Sequence, residues 1–431
     1  MSHPAVAAAV PAAPDPADVR ALAWGMVVLA ATFIFARTPH ILMDGRLFAE
    51  EGVIYFRDAV AGSWWDALLA PRVGYYSAFN KLAALAASVV PLEGAARVTT
   101  WCALAVQLSV VWIVARSDAF GPLWGRALAA LVPIVAVPSA EVWLNTINSQ
   151  FHLAVGTAVL LATGRAALPS AVRLAFLLLA GATGPVSVAL APLFALKALR
   201  SRTGQDMREA ALLCALALVQ AVLMIRVLAE GERGGGLSVL AMLSAIGVKN
   251  LALPWLGDAA GEVGAVLLAG SRLAKALAAA GLAAFAALLA VTVLRTPASR
   301  WLAAAALLVA LVSYAGALGK DPWILLIPAA AGRYAYAPNA LMGLALIAAM
   351  AGMAERRRAW RPLRPVAGVL ALWMLACGFF QYWNVEPFFS GPSWRAEVTA
   401  WRADPARERL ALWPPPWFLP LPHPAPAAPP R

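Results

Sequence analysis

Long apolar runs, separated by short polar or basic stretches, repeat along the whole chain. A helix needs about 20 apolar residues to cross the hydrocarbon core. The pattern therefore predicts an all-α polytopic membrane protein of about 11 spans, near 20–36, 98–115, 126–139, 150–164, 172–182, 186–199, 207–229, 273–294, 301–318, 334–354 and 365–384. Residues 1–19 read as a disordered tail, 20–384 as the transmembrane domain and 385–431 as an outer tail. The basic stretches orient this set. Arg356, Arg357 and Arg358 with Arg361 and Arg364 form the strongest group. The others are Lys197 with Arg200, Arg202 and Arg208, Arg295 with Arg300, Arg165 with Arg173, and Arg116 with Arg126. Placing all of them in the cytoplasm gives one parity, with the N-terminus inside and the C-terminus outside.

Two consequences follow from that parity. The apolar stretch 75–91 does not cross; it lies in the outer interface within one long loop, 37–97, where Asn80 and Lys81 suit an interfacial helix. The stretch 172–199 becomes two short helices turning at Gly181-Ala182-Thr183-Gly184-Pro185, residues suited to such a turn. The segment 238–256 stays open as a further span, and Arg272 and Lys275 fall outside.

Composition excludes a soluble domain: hydrophobic residues make up 62% of the 431 positions and charged residues 13%, and the mean hydropathy is +0.74. The net charge of +12 belongs to the loop clusters and is a topology signal, so no nucleic-acid partner is expected. Cys102, Cys214 and Cys377 lie inside apolar runs without metal-like spacing. Gly234-Gly235-Gly236 lacks the lysine and strand of a phosphate loop and reads as a flexible connection.

Against this apolar background, the clustered polar residues stand out. Asp44, Glu50 and Glu51 fall close together just after the first span. A charge at the bilayer centre costs about 2.5–3.5 kcal/mol even on the mildest scale, so these carboxylates belong at the interface or in a polar cavity. Glu50 or Glu51 fits a general base that deprotonates an attacking hydroxyl; the alternative is a solvated pair at a helix N-terminus. The same outer face receives Glu141, Asn145, Asn148, Gln150 and His152, the 183–185 turn, Lys320 with Asp321, and Arg333 with Tyr334. Arg333, with Lys320 as a second candidate, suits the binding of a phosphate leaving group; an interfacial anchor is its alternative. The amides and His152 suit hydrogen bonds to sugar hydroxyls, and Glu141 joins the acids or caps a helix. In the tail, 394–405 reads as an amphipathic helix ending at Pro405, followed by the extended Trp413-Pro414-Pro415-Pro416-Trp417.

Phe48-Ala49-Glu50-Glu51-Gly52, Gly74-Tyr75-Tyr76, Asn145 to His152 and Gly332-Arg333-Tyr334, set in a long first loop with interfacial helices, resemble GT-C type membrane glycosyltransferases. By architecture the relatives are aminoarabinose transferases and protein O-mannosyltransferases. The motifs themselves look like a bacterial group in which an acidic pair precedes glycine in the first loop. The chain departs from the better-known members in lacking a His-Pro-Pro-Leu-like motif and a large soluble C-terminal domain. The resemblance implies inverting transfer from a polyprenyl-phosphate sugar at the periplasmic side of the bacterial inner membrane. Glu51 or Glu50 would be the base, Asp44 would orient it, and Arg333 with Lys320 would hold phosphate. The acceptor is an unspecified glycan, lipid or protein. No protein metal site is read from the sequence, and a requirement for added divalent metal is left to assay. A transporter or flippase for a lipid-linked substrate, and a non-catalytic assembly subunit, are the competing classes.

Overall fold

The computed structural model describes residues 14–72, 74–229, 238–317, 322–328, 330–352, 362–384 and 387–423. Helices follow the apolar runs: α1 Pro16–Arg37, α2 Ala78–Ser88, α3 Leu92–Arg116, α4 Leu123–Val135, α5 Ser149–Ala162, α6 Ser170–Gly181 and α7 Ala191–Ser201. They continue as α8 Gly204–Ala229, α9 Arg272–Val293, α10 Pro297–Ala317, α11 Arg333–Gly352, α12 Leu363–Tyr382 and α13 Trp394–Ala403. Eight helical segments among the described residues are long and apolar enough to cross a membrane: α1, α3, α9, α10, α11, α12, Gly204–Arg226 of α8, and Val239–Ala269. The fold is thus that of an all-α multi-pass membrane protein. Helices α4, α5 and α6 are apolar but shorter. At about 1.5 Å per residue they fall short of the full hydrocarbon thickness, and short helices of this kind need protein or a water-filled cavity over their ends.

The packing explains which helices are central. Helix α11 is sheathed by α10, α12, α4 and α5, and its residues 335–341 are all buried. Helices α8, α9 and α12, by contrast, turn Leu218, Leu277 and Phe380 outward, as a lipid-facing surface requires. Helix α6 turns at Thr183 and Gly184, the latter at φ +107°, into Pro185–Val188 and then α7, matching the expected pair of short helices.

The segment Val239–Ala269 departs from a simple span. It is broken into Val239–Ile246, a π-helical turn Gly247–Ala252, Leu253–Leu256, and Ala260–Ala269 beyond Gly257 at φ +59°. Its first and last arms both pack against Pro322–Leu326, so the segment folds back on one end of the bundle. Helix α2 is too short to cross, as expected, and it is covered by protein on the face that carries its polar residues. Asn80 and Lys81 are buried, because the loop helices Arg57–Ala61 and Trp64–Leu69 cover them. Lys81 Nζ donates to the Ala67 carbonyl at 2.6 Å, and this burial lowers its ammonium pKa.

The C-terminal segment is also more ordered than an extended tail. Helix α13 stops at Ala403, and β1 Arg409–Ala411 pairs antiparallel with β2 Phe418–Pro420. Trp394, Val398, Trp401, Leu410 and Leu419 bury themselves against Leu47, Phe56 and Ala96 of the first loop and α3.

Candidate functional site

The polar segments expected on one face meet at one end of the bundle. There the end of α1, the 137–148 connection, the start of α5, the ends of α8 and α10, the start of α11 and the end of α12 surround two cavities. The larger, of about 350 Å³, is lined by Glu50, Tyr75, Glu141, Asn148, Gln150, Arg333 and Tyr334. Its remaining wall is mostly apolar, including Met224 of α8 and Val312 of α10. The smaller, of about 270 Å³, has Arg37, Ser139, Asp258, Gln381 and Asn384 in its wall. Glu141 and Phe388 line both.

The first loop reaches this cavity through an irregular backbone. Ala49 adopts φ +47°, and Glu51–Phe56 forms a π-helical turn, a feature frequent at functional sites. The conformation is held from the far end of the chain. Ala49 N donates to the Trp413 carbonyl at 2.6 Å, and Trp413 N donates to the Leu47 carbonyl at 3.1 Å. This clasp turns two adjacent glutamates in different directions. Glu50 is half-buried, lines the cavity and accepts no hydrogen bond among the described residues. Glu51 is buried and closed: Phe48 N donates to Oε2 at 2.9 Å, and Thr146 N and Oγ1 donate to Oε1 at 3.0 and 2.5 Å. Burial raises the Glu51 carboxyl pKa, with those hydrogen bonds opposing the shift.

Arg333 opens α11 and forms a short ion pair through its guanidinium with Glu141 Oε1, while its backbone N donates to Oε2 at 3.0 Å. Its guanidinium lies 4.8 Å from the Tyr334 ring centre and 3.3 Å from the Tyr334 hydroxyl. Glu50 is within Coulomb reach of the same guanidinium. Among the lining residues, carboxylates thus outnumber cations, with Glu50 and Glu141 facing Arg333.

The other residues singled out in the sequence divide by packing. Asn148 and Gln150 line the cavity. Asn148 Nδ2 donates to the Glu141 carbonyl at 2.8 Å, fixing the loop that carries the Glu141 side chain. Asn145 does not reach the cavity: it is fully buried, donates to the Glu141 and Trp143 carbonyls, and accepts from Asn148 N. His152 is also closed off. Its Nε2 sits 3.3 Å from the Val142 carbonyl and its Nδ1 2.9 Å from the Tyr336 hydroxyl, which itself donates to the Pro133 carbonyl at 2.6 Å. Asp44 lines neither of these cavities; Ser393 Oγ donates to its carboxylate at 2.6 Å, tying the first loop to the C-terminal segment. Lys320 falls outside the described residues. No group of three His, Cys, Asp or Glu able to hold a metal occurs among the described residues.

Arg46 carries a positioning role that the sequence reading missed. It is fully buried, its guanidinium donates to the Phe388 and Trp143 carbonyls, and it packs over the rings of Phe48 and Trp413 at 5.0 and 5.3 Å. Burial lowers its pKa to about 9, partly offset by the Glu51 charge, so the guanidinium stays charged at neutral pH. One side chain thus ties the first loop, the 138–148 connection and the C-terminal segment together. Its only signal in the sequence is a charge in an otherwise apolar chain.

The fold defines an all-α multi-pass membrane protein with a carboxylate-bearing, largely apolar-walled cavity at one end. The chain matches no protein-family model, no curated protein and no solved structure.

Proposed function

We propose that the chain is a membrane glycosyltransferase of GT-C type that moves a sugar from a polyprenyl-phosphate donor to an envelope acceptor on the periplasmic side. The observation that carries this reading is the meeting of Glu50 and Arg333 in one cavity that also has apolar walls from α8 and α10. Glu50 is the base: its carboxylate takes the proton of the acceptor hydroxyl as that oxygen attacks the anomeric carbon. The bond from that carbon to the phosphate oxygen breaks, and polyprenyl phosphate leaves with the electron pair. Arg333 stabilises the charge gathered on the leaving phosphate. Glu51 is assigned a structural part, because its oxygens are already taken by Phe48 and Thr146. With carboxylates in excess at the cavity, further positive charge is needed for a phosphate. Lys320 is the protein candidate and a divalent metal the alternative, decided by whether activity requires added metal.

The test is a mass profile of envelope glycans in wild type, a deletion strain and a Glu50→Gln strain at normal protein level. Loss of one sugar in both altered strains supports the enzyme, and the missing mass names the sugar. A change in the deletion strain alone removes the catalytic reading.

One observation favours a transporter instead. Lys249 is buried within the folded-back segment and donates to the Ala330 carbonyl, beside Asn250, which donates to Asn339 Oδ1 at 2.7 Å. Broken helices with buried polar groups are features of secondary transporters, and the deletion-only outcome would point there.

A further inference from the structure

A second charged pocket lies at the opposite end of the bundle. Helices α5, α8 and α10 border the larger cavity through Phe151, Met224 and Val312, and border this pocket through Leu161, Asp206 and Ala298. Since α8 and α10 are each long enough to cross, the two sites belong to opposite membrane surfaces. The pocket, of about 270 Å³, also takes Arg165 from the turn after α5, Lys197 and Ser201 from α7, and Trp301 from α10. Arg200 of α7 lies at its edge, with its guanidinium 6.0 Å from the Trp301 ring centre. Among the described residues, three cations thus meet one lining carboxylate, Asp206.

Part of this charge serves the fold. Lys197 Nζ donates to the Leu161 carbonyl at 2.8 Å, capping the C-terminal end of α5, and lies 3.7 Å from Asp206 Oδ1. Asp206 is 3% exposed and already accepts from Ser201 Oγ and Thr203 Oγ1 at 2.6 and 2.9 Å. The carboxylate behind the pocket, Asp118, accepts from Gly164 N at 2.7 Å and is within Coulomb reach of Arg126. Arg165 is left over. Its side chain is 47% exposed, and its 3.9 Å approach to Asp206 is too long for a hydrogen bond. It makes no hydrogen bond among the described residues, and Arg200 is exposed as well. Outward apolar side chains stand next to the charged ones in the chain: Leu199 before Arg200, and Met207 after Asp206, at 68% and 49% exposure. A free anion gains nothing from them. A phospholipid sets its phosphate against guanidinium groups and its chains along such side chains. A choline headgroup would bring one more cation to a pocket already in positive excess. We infer that this pocket binds the phosphate headgroup of an anionic membrane phospholipid, with Arg165 and Arg200 on the phosphate and Lys197 as supporting charge. The site is independent of the proposed transfer reaction.

The test titrates the full-length, delipidated protein in a neutral detergent with phosphatidylglycerol and with phosphatidylcholine of the same chains, counting bound lipids by native mass spectrometry. Wild type is expected to hold one phosphatidylglycerol about tenfold or more tighter than phosphatidylcholine, and to lose that preference as salt is raised. Arg165→Gln with Arg200→Gln should bring phosphatidylglycerol down to the phosphatidylcholine level. Both side chains are exposed, so the melting temperature of the lipid-free protein should stay within about 2 °C. The chain carries a net charge of +12, so a control removes the same charge elsewhere. Arg226→Gln with Arg272→Gln, at exposed positions outside the pocket, should keep the preference. Equal affinity of wild type for the two lipids overturns the inference. So does a preference that survives loss of Arg165 and Arg200, or one that falls equally in the control, since net charge then suffices. A larger drop in melting temperature gives the two arginines to the fold and also overturns it. If inorganic phosphate or pyrophosphate binds in an Arg165-dependent way while the two lipids bind alike, the occupant is a soluble anion and the lipid assignment falls.

Discussion

Glu50 and Glu51 are chain neighbours with opposite fates: Glu51 is sealed against Phe48 and Thr146, while Glu50 lines the cavity with no hydrogen-bond partner among the described residues. Their substitutions should therefore separate fold from function. Glu51→Ala leaves the donors Phe48 N, Thr146 N and Thr146 Oγ1 without an acceptor. It should destabilise the protein by about 2–4 kcal/mol, given about 1–3 kcal/mol per unsatisfied buried group and partial relaxation. Glu50→Gln should leave stability within about 0.5 kcal/mol and lower transfer activity by about 100-fold or more. Thermal melting and transfer assays on the same preparations check both; a stable, inactive Glu51→Ala protein would reverse the assignment.

Stability should also depend on pH through Glu51. Its carboxyl pKa is raised above 4.5 by burial, so between about pH 4.5 and the raised value the folded protein keeps a proton that the unfolded chain has released. In that window the folded state binds more protons, and stability falls as pH rises. Glu51→Gln has no such proton to lose. Melting temperatures of the two proteins, measured from pH 4 to 8, should show wild type losing ground to the variant as pH increases. A constant difference would mean that the carboxyl is not shifted in the fold.

The Arg333–Glu141 pair joins α11 to the 138–148 connection with one partner about a third exposed and the other nearly buried, at 37% and 7%. Exposure screens such a pair, so a double-mutant cycle with Arg333→Met and Glu141→Gln should return a coupling of about 1–2 kcal/mol, below that of a fully buried pair. A coupling near zero would show that the contact does not hold the cavity wall together.

Removing residues 406–431 deletes the Trp413 clasp on Leu47 and Ala49 and the hairpin side chains that cover Leu47 and Phe56. Ala49 should then leave its φ of +47°, a conformation costly for a residue with a side chain. Limited proteolysis should cut the truncated protein within 44–56 while the wild type resists. Equal resistance in both would assign the loop conformation to other contacts, with Arg46 first among them.

What the sequence determined by itself is what depends on local composition. Apolar length, basic clusters and the Gly-Pro turn after α6 were enough to specify an all-α membrane protein and to place its polar connections at a common end. Hydrophobicity and helix length act within each segment, so no knowledge of neighbours was needed. The tertiary structure decided the roles of individual polar residues. Glu50 and Glu51 differ because they follow a turn at Ala49 held by a backbone clasp from Trp413, and Phe48 and Thr146 then close on Glu51 alone. His152 and Asn145 do not line the cavity, because Tyr336, Val142 and Glu141 close around them. Lys81 is buried because two short loop helices cover it. Val239–Ala269 is apolar enough to cross, yet both of its arms rest on Pro322–Leu326. In each case the deciding contact comes from a distant part of the chain, and a hydrogen bond to a distant partner leaves no trace in local periodicity.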